Sequence, residues 1–329
     1  MKALVTGGGG FLGQAIVRGL RKQGAAIRSF SRHAHGALEA LGVEQRAGDL
    51  ADATAVASAV EGCDIVFHVA AKPGIWGDYD EYYGPNVVGT QNVIAACRAH
   101  GVRRLVYTSS PSVVFDGSDM ENVDESVPYP ASFEAHYPKT KAMAEQMVRE
   151  ANNEQLATVS LRPHLIWGPG DNHLLPRLVA RARAGQLARI GSRPNLIDTV
   201  HVDNAADAHL LAADRLSPGS PIAGKVYFIS QGEPIPMWEM VNRLLLAAGA
   251  PPVTRTVPVW LALALASLFE AAHRLRGSPG EPRLTRFVVH ELSTAHWFDI
   301  SAARRDLGYA PAISIAEGLA QLRAAMKKP

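Results

Sequence analysis

A tyrosine and a lysine four residues apart give this sequence a pair of side chains suited to proton transfer. Tyr137 and Lys141 open a helix-like segment, in which residues i and i+4 share one face. A free phenol has a pKa near ~10, so it exchanges protons poorly at neutral pH. A neighbouring positive charge favours the phenolate and lowers that pKa. The spacing therefore predicts an acid–base group that serves an alcohol or a carbonyl.

Hydroxyl side chains close a buried strand upstream of this pair. The strand Arg104–Thr108 runs into Ser109 and Ser110, and Ser112 follows. In a parallel sheet the carboxyl ends of the strands face one crevice, so these hydroxyls are expected near Tyr137. A hydroxyl there would hold the substrate oxygen during proton transfer. Ser110 is the first candidate, with Ser109 and Ser112 as alternatives.

A glycine-rich turn follows the first strand and opens the first helix. Gly7 permits the tight turn, Gly10 allows close backbone approach, and Gly13 lets the helix press on the strand. The free N–H groups at the helix start, with Phe11 and Leu12, suit a pyrophosphate. A P-loop is excluded because no Gly-Lys-Ser/Thr follows. The pattern predicts a dinucleotide site, and hence hydride transfer assisted by the tyrosine.

The end of the second strand indicates which nicotinamide cofactor is bound. NAD selectivity usually needs a carboxylate there, whereas this chain has Ser31 and Arg32, which suit a 2′-phosphate. NADP(H) is therefore the predicted cofactor. Asp49 and Leu50, after the third strand, are expected at the adenine, and Ala70, after the fourth, at the cofactor's ribose.

Strand-like and helix-like segments alternate through the first half of the chain. Each strand is apolar on both faces and precedes a helix, which predicts an α/β fold with a doubly wound parallel sheet. We expect a dinucleotide-binding domain over residues 1–170, with a strand returning near 225–230. A smaller, mainly helical substrate domain is expected over 171–329.

Composition excludes several other functional classes. The 329 residues carry a formal net charge of +2 without a Lys/Arg run, which argues against nucleic acid. Cys63 and Cys97 lie in apolar surroundings, so buried free thiols in a reducing, cytoplasmic compartment are expected, and no metal-ligand pattern occurs. No secretory leader or transmembrane span is expected. The apolar segment 258–272 is interpreted as a helix covering an apolar pocket, or as an interfacial helix that contacts lipid or a partner.

Together these motifs resemble the extended short-chain dehydrogenase/reductase superfamily over nearly the whole chain. The segments that carry the resemblance are Thr6–Gly13, His68–Ala71, Asn86–Asn92, Tyr107–Ser110, Tyr137–Lys141 and Leu161–Pro163. It implies catalytic roles for Ser110, Tyr137 and Lys141. It also implies that Lys141 binds the nicotinamide ribose, that the Pro163 backbone contacts the nicotinamide, and that Asn86 makes a polar contact in the active site.

Further motifs resemble the 3β-hydroxysteroid dehydrogenase group within this superfamily. They are Ser109–Phe115, Ile166–Asp171, His296–Asp299 and Leu307–Tyr309. Three segments are similar to a bacterial subgroup of olefin biosynthesis, namely Lys72–Gly77, Leu161–Asp171 and Ser230–Pro234. That resemblance implies NADPH-dependent reduction of a long-chain 2-alkyl-3-oxoalkanoate, a β-keto acid, to the hydroxy acid. It also leaves association with other olefin-pathway enzymes open, and a homodimer is common in the superfamily. Dehydrogenation of a 3β-hydroxysteroid is the alternative, and an NADP(H)-binding redox sensor without catalysis is the alternative of another class.

The apolar features suit a substrate with alkyl chains. The aromatic loop Pro73–Tyr83 and the segment Trp260–Phe269 are expected to form two walls of the pocket. A substrate carboxylate would need a cation, for which the sequence offers Arg162, Arg177, Lys72 and His164.

Overall fold

The computed structural model describes residues 1–276 and 280–327. Its strands are β1 (Lys2–Thr6), β2 (Ala26–Ser31), β3 (Glu44–Ala47), β4 (Ile65–His68), β5 (Arg104–Thr108), β6 (Met120–Val123), β7 (Ala157–Pro163), β8 (Ile166–Trp167), β9 (Arg189–Ile190), β10 (Leu196–Ile197), β11 (Val200–His201), β12 (Val226–Ile229), β13 (Ile235–Pro236), β14 (Thr256–Val257) and β15 (His296–Phe298).

The helices alternate with the longer strands in the first half and dominate the second. They are α1 (Phe11–Lys22), α2 (Gly36–Glu39), α3 (Ala53–Val60), α4 (Tyr79–Tyr83), α5 (Gly89–Ala99), α6 (His136–Glu150), α7 (Leu174–Arg183), α8 (Val202–Arg215), α9 (Met237–Ala247), α10 (Val259–Arg276), α11 (Arg286–Ser293) and α12 (Ile315–Met326). Two π-helical turns, Gly84–Val88 and Ala303–Leu307, and one 3-10 turn, Pro111–Val114, complete the set.

A seven-stranded sheet forms the centre of the molecule. Its order is β12-β7-β5-β4-β1-β2-β3, and every neighbouring pair is parallel. The strand order reverses between β1 and β4, where ligands bind in doubly wound folds. The predicted α/β doubly wound parallel sheet is thus confirmed.

Alternating side chains of the strands build a core on each face of this sheet. Ala3 and Val5 point to the face covered by α1 and α8, whereas Leu4 points to the face covered by α3, α5 and α6. The sequence predicts only a strand near 225–230 to return to the first part, and β12 lies there, beside β7. Helix α8 also packs against α1, so more of the later chain covers the sheet than the division at residue 170 implies.

A smaller mixed sheet lies beside the carboxyl ends of the large one. Its order is β13-β10-β15-β6, and it brings residues near 120, 197 and 297 together. A second apolar core, formed by α7, α9, α10, α11 and α12, packs around it. This part of the chain therefore carries side chains toward the edge of the large sheet at which the functional residues lie.

Candidate active site

The turn between β1 and α1 is packed so closely that side chains are excluded from it. Gly7 has a φ of 68°, a region that favours glycine. A Cβ atom on Gly13 would lie 2.1 Å from the carbonyl oxygen of Gly7. Gly10 precedes α1, and no side chain caps the first turn at Phe11 and Leu12. The first N–H groups of a helix have no intrahelical partner, so this turn fits the pyrophosphate of a dinucleotide.

Two further side chains press on this turn. A Cβ atom on Gly7 would lie 3.0 Å from Ala70, whose backbone N–H donates to Thr6 Oγ1 at 3.2 Å. A Cβ atom on Gly9 would lie 2.1 Å from the ring of His35, a residue that the sequence did not single out for the cofactor site. Ala70, which follows β4, and the ring of His35 therefore lie against the glycine turn.

The residues expected at the adenosine end are arranged around the ends of β2 and β3. Ser31 Oγ donates to the carbonyl of His33 at 3.0 Å. Arg32 is exposed and forms no ion pair within residues 1–276 and 280–327. Asp49 is exposed, and its Oδ1 accepts from the backbone N–H two residues later at 2.8 Å, whereas Leu50 is buried. Both Arg32 and Asp49 are thus accessible to a ligand.

A buried hydrogen-bond chain connects the glycine turn to the neighbouring helices. Thr6 Oγ1 lies 2.8 Å from His68 Nδ1, and His68 Nε2 lies 3.0 Å from Thr90 Oγ1. The Thr90 hydroxyl donates to the carbonyl of Asn86 at 2.6 Å, so it must accept from His68 Nε2–H. Burial lowers the pKa of His68 to about 3, and the Lys141 charge adds to this. His68 is therefore a neutral link in the scaffold.

Asn86 extends this scaffold to helix α6. Its amide nitrogen donates to Thr140 Oγ1 at 3.0 Å and to the carbonyl of Lys72 at 3.2 Å. Its amide oxygen accepts from the Lys72 backbone N–H at 2.7 Å. The side chain of Asn86 thus fixes α6 against the loop after β4, and the active-site contact that the resemblance implies for it stays a prediction.

Tyr137 and Ser110 lie together at the carboxyl edge of the sheet. Burial raises the pKa of Tyr137 to about 12, a hydrogen bond with the Ser110 side chain lowers it, and the Glu291 charge raises it. Ser110 Oγ lies 2.9 Å from Ser112 Oγ and accepts from the Ser112 backbone N–H at 3.2 Å. Since Tyr137 keeps partial exposure, its phenol and the Ser110 hydroxyl form a pair that a substrate oxygen can reach.

Lys141 lies on the same helix, but its ammonium group is held by β5. Its Nζ donates to the carbonyl of Thr108 at 2.6 Å and lies 4.2 Å from the centre of the Tyr107 ring. Burial lowers the pKa of Lys141 to about 7, although Glu145 opposes this shift. The sequence-based argument has Lys141 lowering the pKa of Tyr137, whereas the main influences in the structure are burial, Ser110 and Glu291.

The two alternative serines have different positions. Ser109 is buried on the other side of β5, toward Glu145, whose pKa it helps to lower. The Ser112 hydroxyl lies beside the Ser110 hydroxyl, at 2.9 Å. Pro163 ends β7 at the same carboxyl edge, paired with Ile229 of β12. Of the three serines, Ser110 is the one placed beside the Tyr137 phenol.

The cations suggested for a substrate carboxylate are largely used elsewhere. Arg162 is only 2% exposed and donates to the Glu145 carboxylate from Nε at 2.9 Å and from Nη2 at 2.6 Å. Lys72 forms an ion pair with Glu81, and Arg177 forms one with Glu281 at 3.2 Å; all four of these side chains lie at or near the surface. Of the four candidates that the sequence left open, Arg162 is therefore engaged in a buried structural pair. His164 follows β7, and its Nδ1 lies 2.7 Å from Asp198 Oδ1.

The two expected pocket walls differ in burial, since the first packs against α6 and most of the second faces outward. In the loop Pro73–Tyr83, Tyr79 packs edge-on against His136 at the start of α6, with ring centres 5.5 Å apart. Trp260, by contrast, is 71% exposed, and the buried residues of α10 are Ala262, Ala266 and Glu270. Helix α10 thus covers the second core with its small residues and turns Trp260, Leu261, Leu265, Leu268 and Leu275 outward. No helix within the described ranges is long and apolar enough to cross a bilayer.

Residues 4–258 match the family described as the 3-beta hydroxysteroid dehydrogenase/isomerase family. The chain belongs to this family. The chain is 53% identical to a 2-alkyl-3-oxoalkanoate reductase of Stenotrophomonas maltophilia, over 98% of this chain and 99% of that protein. It is 49% identical to the protein of the same name from Shewanella oneidensis, over 98% and 86%. It is 34% identical to a mouse (Mus musculus) sterol-4-alpha-carboxylate 3-dehydrogenase, decarboxylating, over 97% and 89%.

A solved structure shows the same fold around a cofactor. A dTDP-glucose 4,6-dehydratase double mutant from Streptomyces venezuelae, with NAD and DAU bound, has a TM-score of 0.75 and 25% identity, over 100% of this chain and 97% of that one. These likenesses, with the glycine turn, show an oxidoreductase of the extended short-chain dehydrogenase/reductase type.

The motif His296–Asp299 entered the sequence analysis only through its resemblance to the family. The sequence analysis missed Glu291, whose charge raises the pKa of Tyr137, and the contact of His296 with His164 at 3.2 Å.

Proposed function

We propose that this protein is an NADPH-dependent reductase of long-chain 2-alkyl-3-oxoalkanoates, which it converts to 2-alkyl-3-hydroxyalkanoates. The observation that carries the proposal is near-complete coverage at 53% identity to a relative of that name. The geometry agrees with it, because a phenol and a hydroxyl meet beside a dinucleotide turn. The intact Tyr137 and Lys141 argue against a redox sensor without catalysis.

The chain's own residues account for the proton and the oxygen of this reaction. NADPH, when bound, supplies the hydride that reduces the C3 carbonyl. Ser110 donates a hydrogen bond to the carbonyl oxygen and thereby stabilises the negative charge that develops there. Tyr137 donates the proton to this oxygen, and its pKa of about 12 keeps the phenol protonated at neutral pH. Lys141, as an ammonium ion held by the carbonyl of Thr108, offers its remaining N–H donors to the nicotinamide ribose.

The preference for NADP(H) rests on the adenosine end of the turn. Arg32 is accessible, and Ser31 offers a hydroxyl beside it, so both support recognition of a 2′-phosphate. Asp49, Leu50 and Ala70 complete the proposed cofactor site, and Pro163 supports the nicotinamide end. The proposal also includes a role in olefin biosynthesis in the cytoplasm and a homodimeric state. The outward apolar face of α10 supports contact with lipid or with another pathway enzyme.

A sterol or steroid 3β-dehydrogenase is the second candidate. The relative from mouse favours it, at 34% identity over most of both chains. The hydride and proton chemistry would be the same, since only the shape of the alcohol differs. Turnover of 2-alkyl-3-hydroxyalkanoates with NADP⁺, compared with turnover of 3β-hydroxysteroids, separates the two candidates.

The decisive experiment removes the phenol oxygen. Tyr137→Phe should lower kcat by about 10²- to 10⁴-fold in NADPH oxidation with a 2-alkyl-3-oxoalkanoate, because general acid catalysis contributes on that order. NADPH binding, followed by quenching of protein fluorescence, should remain. Tyr227→Phe is the matched control, because its hydroxyl bonds Asp306 at 3.0 Å at the far edge of the sheet. Wild-type activity in Tyr137→Phe would contradict the proposed mechanism.

A further inference from the structure

The amino group of Lys141 lies in a buried part of the site without a carboxylate of its own. Lys141 is only 2% exposed, and its Nζ donates to the carbonyl of Thr108 at 2.6 Å. It forms no ion pair with any of the residues that the structure describes. The carboxylate of Glu145, one helical turn further on, accepts from Arg162 at 2.9 Å and 2.6 Å and from Tyr129 at 2.6 Å. A buried ammonium ion is costly, so its charge needs another partner.

The ring of Tyr107 is in the position of such a partner. Side chains alternate along β5, so Val106 points to the core under α1 and α8, whereas Tyr107 points to the opposite core, under α5 and α6. Lys141 Nζ lies over the Tyr107 ring, 4.2 Å from its centre. At this distance a cation is attracted by the electron-rich face of an aromatic ring, and the attraction is strongest where water is excluded. Tyr107 is 1% exposed, so the contact is dry.

The two contacts of Lys141 Nζ have different consequences for its charge. The Thr108 carbonyl can accept from a neutral amine as well as from an ammonium group, so it fixes the position of Nζ. The face of the Tyr107 ring attracts the cation and therefore favours the charged form. The Tyr107 hydroxyl is buried and forms no hydrogen bond within the described part of the chain. Burial raises the pKa of this phenol well above its ordinary value, so the ring itself stays neutral.

We propose that Tyr107 is a positioning residue, whose ring face keeps the Lys141 side chain charged and fixed at the carboxyl end of β5. This inference rests on the proposed function, which requires an ammonium group with free N–H donors at the nicotinamide ribose. Tyr107 acts through Lys141: the carbonyl of Thr108 occupies one N–H, and the ring retains the proton that gives Nζ its further donors.

The groups around Lys141 place its titration near neutral pH. Burial lowers the pKa of Lys141 to about 7, and the Glu145 charge opposes this shift. Tyr137 lies one turn earlier on α6, and burial raises its pKa to about 12. His68 is the register partner of Tyr107 on β4, with ring centres 5.5 Å apart, and burial lowers its pKa to about 3. Tyr137 and His68 are thus both neutral at pH values near that at which Lys141 titrates, so the loss of the Tyr107 ring face should lower the pKa of Lys141 further.

The test titrates Lys141 directly in the free protein. Lysine labelled at Cε with an NMR-active carbon isotope changes its shift on deprotonation, and Lys141→Met identifies the signal by removing it. Tyr107→Leu removes the ring face, so the midpoint of the Lys141 titration should fall by about one pH unit, the size of a dry cation–π contact. Tyr107→Phe keeps the ring face and should restore the wild-type midpoint. Phe67→Leu, which removes a buried ring from the other face of the sheet, is the matched control and should also titrate like the wild type.

A fluorinated ring separates the charge of the contact from its shape. Tyr107→Phe with fluorine atoms on the ring has nearly the same size but a less negative face, so its midpoint should move toward that of Tyr107→Leu. This variant decides the question even where Tyr107→Leu does not fold. The pH at which kcat/KM for NADPH declines should move by the same amount as the NMR midpoint in each variant.

A merely structural role for Tyr107 would lower stability and leave the Lys141 midpoint unmoved. Equal midpoints in the phenylalanine, fluorinated and leucine variants would therefore overturn the inference and leave the proposed function intact. The expected NMR shifts, together with no turnover of 2-alkyl-3-oxoalkanoates by the wild type, would instead confirm the contact and refute the proposed function.

Discussion

The buried ion pair between Arg162 and Glu145 offers a test of how helix α6 is held in place. Arg162 belongs to β7 and Glu145 to α6, the helix that carries Tyr137 and Lys141. The side chains are 2% and 0% exposed and share hydrogen bonds of 2.9 Å and 2.6 Å. Tyr129 donates a further hydrogen bond to Glu145 at 2.6 Å. Replacing the arginine by methionine would leave the glutamate buried without its cation.

We expect Arg162→Met to lower the free energy of unfolding by about 3–5 kcal/mol, the cost of stranding one member of a buried pair. The double variant Arg162→Met/Glu145→Gln should recover most of this loss, because a neutral glutamine still accepts from Tyr129. Chemical denaturation followed by tryptophan fluorescence measures both values. The double variant is the control, since it removes the same arginine without leaving a charge.

The pH dependence of this loss has a definite sign. Burial raises the pKa of Glu145, but the hydrogen bonds and charge of Arg162 outweigh it, so the folded-state pKa is below its ordinary value. Its stabilising contribution is therefore present above the unfolded-state pKa and disappears as pH falls through the folded-state pKa. In Arg162→Met only the hydrogen bonds from Ser109 and Tyr129 still oppose burial, so the pKa of Glu145 rises and the penalty grows as pH rises. The difference from wild type should be smaller at about pH 5 than at about pH 8. Unchanged stability with a selectively weakened acid substrate would instead show that Arg162 binds the carboxylate.

Two further predictions concern the cofactor. Arg32→Ala should raise KM for NADPH several-fold and leave KM for NADH nearly unchanged, because the arginine pairs with the 2′-phosphate that only NADPH carries. Arg21→Ala, on the exposed side of α1, is the control. Equal effects on both cofactors would refute the NADP(H) assignment. Burial lowers the pKa of Lys141 to about 7, so kcat/KM for NADPH should fall as pH rises through that value and the ammonium group is lost. Lys141→Met should lower kcat/KM by about a hundredfold and abolish this decline, and a decline that persists in the variant belongs to another group.

The large sheet and its turn were predictable because their signals are local. The glycines from Gly7 to Gly13, the apolar strands and the i, i+4 pair Tyr137/Lys141 each lie within a few residues. The sequence also ranked Ser110 first among three serines, and the structure places it beside Tyr137. Cys63 and Cys97 are buried and free, as predicted.

The strands of the mixed sheet could not be predicted in the same way. All four have only two to four residues, too few for a period of two to be recognised, and their partners are distant in sequence. Helix α10 was ambiguous for a different reason. Its residues are apolar on nearly every side, so the pattern could not show that Ala262 and Ala266 face the core while Trp260 and Leu268 face outward.

The buried histidines show why residue type alone could not reveal the polar end of the site. His209 accepts from Thr108 Oγ1 at 2.8 Å and donates to the carbonyl of Ala205 at 2.7 Å, and burial lowers its pKa to about 4. His68 bonds two hydroxyls, and the rings of His68 and His209 are both neutral. His164 differs in its partners, since a carboxylate lies on one nitrogen and a second imidazole on the other. A hydroxyl can donate or accept, so it adjusts to either tautomer of a neutral ring. The partners of His164 lie 34 and 132 positions away in the sequence, and only the folded chain brings them together.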